Sequence, residues 1–263
     1  MQNFQAIWRY RGFIIESAKR DFNRKHKGTV LGAAWMALNP FAWLVIYTLV
    51  FSAVMEMRIP GVEGGMSYSV YLCSGLITWG FFSEVALRAL NIFREYERSL
   101  KKIYFPWGTL PIIITLSASL TFSILLIIFV FFLVAFDIFP GFVFATLLPV
   151  LLIQTILALG LGMTLGVVSI FFKDIANIFG LFIAYWFWLT PIVYVFESLP
   201  EQFRSYILFN PLFSLMDAYH GIFVFGRGPQ WISLLYPLIL GLFLCALAAY
   251  LISRWESDIL DEI

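Results

Sequence analysis

The sequence predicts an all-α membrane protein with six transmembrane helices, and three observations carry that expectation. Six stretches, 28–55, 64–83, 103–136, 138–172, 175–196 and 228–253, contain no Asp, Glu, Lys or Arg. A helix rises about 1.5 Å per residue, so roughly 20 apolar residues cross a hydrocarbon core about 30 Å thick, and every stretch is long enough. The composition agrees: 61% of the 263 residues are hydrophobic and 13% charged, a balance that a soluble domain could not bury. The third observation is the placement of positive charge. Seven basic residues precede the first stretch, Arg88, Arg94, Arg98, Lys101 and Lys102 sit at or after the end of the second, Lys173 joins the fourth to the fifth, and Arg254 follows the sixth. Only Arg58, Arg204 and Arg227 fall on the other side, which predicts cytoplasmic termini by the excess of positive charge inside.

Residues 1–27 place Phe4, Ile7, Trp8, Ile14, Ile15, Ala18 and Phe22 at roughly helical spacing, with basic residues on the remaining face. An amphipathic helix lying in the cytoplasmic interface fits this pattern; a basic topology signal without fixed structure fits the charge alone. The segment is basic and lacks a continuous apolar core, so no cleavable signal peptide is expected and the first span serves as its own insertion signal. Spans one and two are joined by the glycine-rich loop 55–67, which contains Pro60. After span two, residues 94–102 intersperse both signs of charge, and Pro106 is the first helix breaker, which predicts a short cytoplasmic helix over 94–106. Asp137 to Gly141 is expected to turn the chain outside, and Phe171 to Asp174 to turn it inside. Residues 197–230 are too long for a tight turn, amphipathic, and punctuated by Pro200, Pro211, Gly226, Gly228 and Pro229. Short helices dipping back into the membrane, which require surrounding protein or a lumen, and a folded loop on the outer surface are both open readings.

Chemistry-bearing constellations are mostly missing. His26 and His220 lie on opposite sides of the predicted topology, so they cannot share a metal, and no metal site is expected. Cys73 and Cys245 fall in or beside apolar spans, where a thiol acts as a small hydrophobe, and no disulfide is expected between them. No Gly-Lys dipeptide occurs, which excludes a phosphate-binding loop of the G-x-x-x-x-G-K-[ST] type, and no catalytic role is expected. Glu84 lies in the second apolar segment with Arg88 one helical turn later, the spacing of a local ion pair; a substrate or proton role is the alternative. Gly28-x-x-x-Gly32 and Gly162-x-x-x-Gly166 permit close helix approach, within the chain or between copies.

Aromatic residues are the positive signal: 29 Phe, 12 Tyr and 9 Trp. Trp43, Tyr47 and Phe51 recur every fourth position in span one, preceded by Trp35, while Tyr185 and Trp188 share a face of span five. Such rings present flat apolar faces with a polar tip on Tyr and Trp, suited to sugar rings, and so could line a path for a polymer. Interfacial belts and helix packing are the alternative use.

Several segments in order resemble the membrane subunits of ABC type-2 exporters of O-antigen, capsule or teichoic-acid polymers, the O-antigen branch most closely. They are Leu31-Gly32-Ala33-Ala34-Trp35, Asn39-Pro40 leading into Tyr47 to Phe51, Leu100 to Pro106, Phe171 to Ile175, Thr190-Pro191-Ile192-Val193-Tyr194, Leu199-Pro200 and Asn210-Pro211. The resemblance covers nearly the whole chain. It implies a homodimeric permease of the bacterial inner membrane, served by two copies of an ABC ATPase that bind the ATP and magnesium, with no cofactor in this chain and no nucleic-acid partner. The cargo implied is a lipid-linked polysaccharide. Residues 1–27 and the helix at 94–106 would meet the ATPase, with Glu95, Arg98, Lys101 and Lys102 transmitting its motion and Lys173 and Asp174 forming a shorter contact. Solvated charges near lipid headgroups are the alternative for all of them. Where the family usually has Arg-Asp between spans four and five, this chain has Lys173-Asp174, which keeps the charge and loses the guanidinium fork. Within the domain 28–263, the segment 197–230 would form re-entrant gate helices, and spans one and five would line the dimer axis. Two further readings stay open: a permease for a small lipophilic compound, and a membrane-embedded enzyme acting on a lipid-linked substrate.

Overall fold

The computed structural model describes residues 11–24, 67–97 and 107–262, with the isolated positions Leu38, Ala42, Val45 and Ile46. Among these residues the chain is helical, with turns and no strand. The elements are α1 (Arg11–Arg24), α2 (Ser67–Glu95), α3 (Thr109–Ala135), α4 (Leu147–Phe171, entered through a 3₁₀ turn at Gly141–Thr146), α5 (Asp174–Leu189), α6 (Glu201–Leu208), α7 (Pro211–Phe223), α8 (Trp231–Arg254) and α9 (Glu256–Glu262).

Four helical stretches are long and apolar enough to cross a membrane: Ser67–Glu95, Thr109–Ala135, Gly141–Phe171 and Trp231–Arg254. They fall on four of the six charge-free stretches. The first stretch lies almost wholly outside the described residues; its four described positions are helical, and the side chains of Leu38, Val45 and Ile46 are exposed. The fifth stretch differs from expectation. Its helix, α5, has 16 residues and stops at Leu189, although the sequence stays free of charge to Phe196. Thr190, which precedes Pro191, is extended, as the proline ring requires of its neighbour. The carbonyls that a longer helix would use internally are taken by α2 instead: the Tyr71 hydroxyl donates to Pro191 O at 3.2 Å and to Tyr194 O at 2.9 Å, and the Tyr68 hydroxyl donates to Val193 O. α2, by contrast, runs on past Ser83 through Glu84 and Arg88 to Glu95, because its charges are paired.

The turn between α3 and α4 forms where the sequence places it. Asp137 at φ 56° and Gly141 at φ 65° take the left-handed conformation that Gly adopts freely and Asp more readily than most residues.

α4 is the centre of the fold, with α2 against one side and α8 against the other. Glycine makes both contacts close. A Cβ at Gly160 would stand 2.7 Å from Gly241 O, and one at Gly241 would stand 2.8 Å from Leu157 N, so α4 and α8 touch backbone to backbone. On the α2 side, a Cβ at Gly162 would lie 2.6 Å from Ala89 Cβ, and one at Gly166 would lie 2.9 Å from Leu90 O. The Gly162-x-x-x-Gly166 pair is therefore spent on packing within the chain.

α1 packs across α3 and is tied to α2. Ile14 and Ala18 are buried, as is Asp21, whose carboxylate accepts from Arg88 Nη2 at 2.7 Å and from the Tyr96 hydroxyl at 2.9 Å. Burial and the neighbouring Asp21 raise the Tyr96 hydroxyl pKa above its ordinary value, so Tyr96 stays a donor.

Candidate functional site

Residues selected from the sequence fall at both ends of the described helices. At the end where α2 finishes, Arg94 Nη2 donates to Ser169 O in the last turn of α4 at 2.7 Å. That bond joins two regions selected separately from sequence, the stretch beginning at Arg94 and the Lys173-Asp174 turn. Lys173 and Asp174 are both exposed, and Asp174 occupies the first turn of α5, where a carboxylate complements the helix dipole. Glu95 is exposed too, but it belongs to the last turn of α2 itself. Trp107 Nε1 donates to Glu256 Oε1 at 2.9 Å, and Phe171 meets Trp255 edge to face, so α9 is fastened to the same end. Arg98, Lys101 and Lys102, with the rest of 98–106, lie outside the described residues.

Glu84 behaves as the local-pair reading expects: Arg88 Nη1 stands 3.8 Å from Glu84 Oε1 while the same guanidinium grips Asp21. Sequence reasoning did not select Asp21. The available signal was an acid, one of two with Glu16, in a basic amphipathic segment.

α5 is two-faced. Phe179 and Ile183 are buried, and Trp186 meets Trp79 and Phe82 of α2 edge to face, with centroids 6.4 and 5.7 Å apart. The other face holds Ile178, Leu181, Phe182, Tyr185, Trp188 and Leu189, with Tyr185 67% and Trp188 62% exposed. The two aromatics chosen from their spacing thus do share one uncovered face. Their expected partners across the path, Trp35, Trp43, Tyr47 and Phe51, lie outside the described residues.

At the opposite end, α6 and α7 form a hairpin whose apex is Asn210. The Asn210 side chain caps α7 by accepting from Leu212 N at 3.0 Å, with Pro211 in the first turn where its missing N–H costs nothing. Asn210 Oδ1 also accepts from Trp186 Nε1 at 3.0 Å, and its Nδ2 donates to Thr190 Oγ1 at 3.0 Å and to Leu189 O at 3.3 Å. One amide therefore joins α5, the turn at Thr190 that follows it, and the start of α7. Trp186 in turn packs at Trp79 and Phe82, more than three helical turns into α2, which sets the depth of the apex.

From that apex α7 climbs beside α2 and α4. Met216 accepts from Thr78 Oγ1 at 3.7 Å, the Tyr219 hydroxyl donates to Gln154 Oε1, and Gln154 Nε2 donates to Thr78 O at 2.6 Å. Tyr71 and His220 stack with centroids 3.6 Å apart, and Phe223 meets Phe129 of α3 at 5.1 Å. Gln154 and Tyr219 are fully buried, and neither was singled out from sequence. An amide inside the charge-free run 138–172 was the available sign, since a buried polar group needs partners.

The described helices thus give a multi-pass helical membrane protein with an uncovered aromatic face on α5 and, between its last two apolar helices, a hairpin with one buried arm. The chain is a member of the ABC-2 type transporter family, whose pattern it matches over residues 14–224. It is 28% identical over 225 residues to an O-antigen export system permease protein of Klebsiella pneumoniae, covering 85% of each chain. A protein of the same description from Myxococcus xanthus is 28% identical over 228 residues, covering 86% of this chain and 85% of the relative. A polysialic acid transport protein of Escherichia coli is 24% identical over 209 residues, covering 78% and 79%.

Proposed function

We propose that this chain is the membrane-spanning subunit of a bacterial exporter that carries a lipid-linked polysaccharide, O-antigen above all, across the inner membrane. The observation that carries the reading is the likeness to O-antigen export permeases along 85% of both chains rather than in one shared motif. In this reading both termini are cytoplasmic, six helices cross the membrane, and α5 crosses together with the turns of 190–195. The hairpin α6–α7 re-enters from the outer side; the position of Asn210 beside Trp186 supports that depth. Two copies pair so that the exposed face of α5 and the aromatics Trp35, Trp43, Tyr47 and Phe51 line a shared path. Flat rings hold a sugar chain weakly at many places, which lets it slide. Two copies of a separate ATPase bind ATP and magnesium and push on Glu95, Arg98, Lys101, Lys102, Lys173 and Asp174, biasing a sealed against an open path. The likeness to a polysialic acid transport protein favours a capsule polymer as the second reading.

Polymer export in a permease-deficient cell tests this. Surface polysaccharide is expected only when this chain and its neighbouring ATPase are supplied together. No surface polymer from the correctly assembled pair refutes the polysaccharide reading.

A further inference from the structure

The two arms of the outer hairpin are built differently. α7 has ten buried residues and α6 has none. α7 is pinned to α2 and α4 by the Tyr219–Gln154–Thr78 chain, the Met216 contact and the Tyr71–His220 stack. The stretch 196–209 instead folds upon itself. Arg204 Nε donates to Leu199 O at 2.9 Å and Arg204 Nη2 to Glu197 O, Ser198 Oγ donates to Val195 O at 2.6 Å, and Phe203 N bonds Pro200 O at 2.9 Å. Its two ends are fixed, one by the Tyr68 and Tyr71 hydroxyls on Val193 and Tyr194, the other by Asn210. Between those points, two contacts tie it to other described elements: Tyr236 donates to Phe209 O at 3.1 Å, and the Phe196 and Phe213 rings meet at 4.6 Å.

We propose that residues 196–209 are a flap that moves as one clipped unit between fixed anchors during transport, while α7 stays with α2 and α4 as its stationary seat. The inference rests on the exporter reading above and assigns the outer movement within it to one arm. Local opening free energies follow buried contact, so the arms should open independently. Arg204 is the internal clip of the flap, and Gln154 and Tyr219 are positioning residues of the seat.

Amide hydrogen exchange on the permease tests this in two settings. In the assembled complex in nanodiscs, comparing the nucleotide-free state with an ATP-bound state held by a hydrolysis-deficient ATPase, exchange across 197–208 is expected to change by about threefold or more while 212–223 stays within about a factor of two. A change in 212–223, alone or alongside 197–208, overturns the proposal, and so does no change in either. In the permease alone, Arg204→Ala is expected to speed exchange in 197–208 only, and Tyr219→Phe in 212–223 only. A common response of both arms to either substitution overturns it as well. Failure to export polymer leaves these exchange patterns readable, so the flap and the cargo assignment fail separately.

Discussion

The ion pair holding α1 to α2 makes a quantitative prediction. Arg88 Nη2 and Asp21 Oδ2 are 2.7 Å apart, and their side chains are only 13% and 11% exposed. Breaking a fully buried pair by removing one partner costs about 3–5 kcal/mol, whereas a surface pair is worth about 0–1 kcal/mol. Here some compensation survives either change. Glu84 remains 3.8 Å from Arg88 when Asp21 is lost, and the Tyr96 hydroxyl remains on Asp21 when Arg88 is lost. Asp21→Ala and Arg88→Met should therefore each cost about 2 kcal/mol of α1 docking, about thirtyfold in the docked-to-free ratio. The double variant Asp21→Leu with Arg88→Met leaves no unpaired charge between them and should lie within about fivefold of the parent protein. Tryptic cleavage after the exposed Lys19 and Arg20 in nanodiscs, which leave both membrane faces accessible, reads this directly, because cutting requires α1 to open and tracks the open population. Single variants cut at the parent rate, or a double variant cut faster than both singles, would refute the argument.

Two further outcomes are expected. Gly162→Val should destabilise the fold by about 3 kcal/mol or more, since its Cβ alone would stand 2.6 Å from Ala89 Cβ and both helices must part, beyond the usual overpacking cost of about 1–3 kcal/mol; thermal unfolding of the detergent-solubilised protein measures this, and an unchanged midpoint contradicts the close packing. Tyr185→Ala and Trp188→Ala together should cut surface polymer about tenfold or more at unchanged membrane level, because both side chains lie on the uncovered face of α5; normal export in the pair of changes places that face outside the path.

Much of the architecture was legible because burial in lipid leaves a coarse mark, the absence of charge over a helix length. The marks misled where side chains from far away in the chain intervene. α5 ends seven residues before its charge-free run does, since the run closes at Phe196 and the helix at Leu189. Pro191 is a local stop that a charge count ignores, and the hydroxyls that take up the carbonyls beyond it, on Tyr68 and Tyr71, are over a hundred residues distant in sequence. In the opposite sense, α2 outlasts its run because Asp21 neutralises Arg88 from another helix. Tyr185 and Trp188 were found by spacing, a local property that survives folding. Asn210-Pro211 entered only through the family resemblance, and nothing local told that the same amide would cap α7 and bind Trp186 and Thr190. Gln154 and Tyr219 escaped because their role exists only as a pair joined across 65 positions.

The glycine contacts on both sides of α4 also decide how force travels. Where side chains interdigitate, a displaced helix can be absorbed by rotamer changes, but contact between main chains has no such slack. At about 1.5 Å per residue, the 25-residue α4 is a strut about 37 Å long, clamped along its length by α2 and α8. A push delivered beside Lys173, where the proposed ATPase contact lies, would be carried up by this packing. It would reach the Gln154 level as a movement of the three-helix block, leaving flexing to whatever is hung from that block.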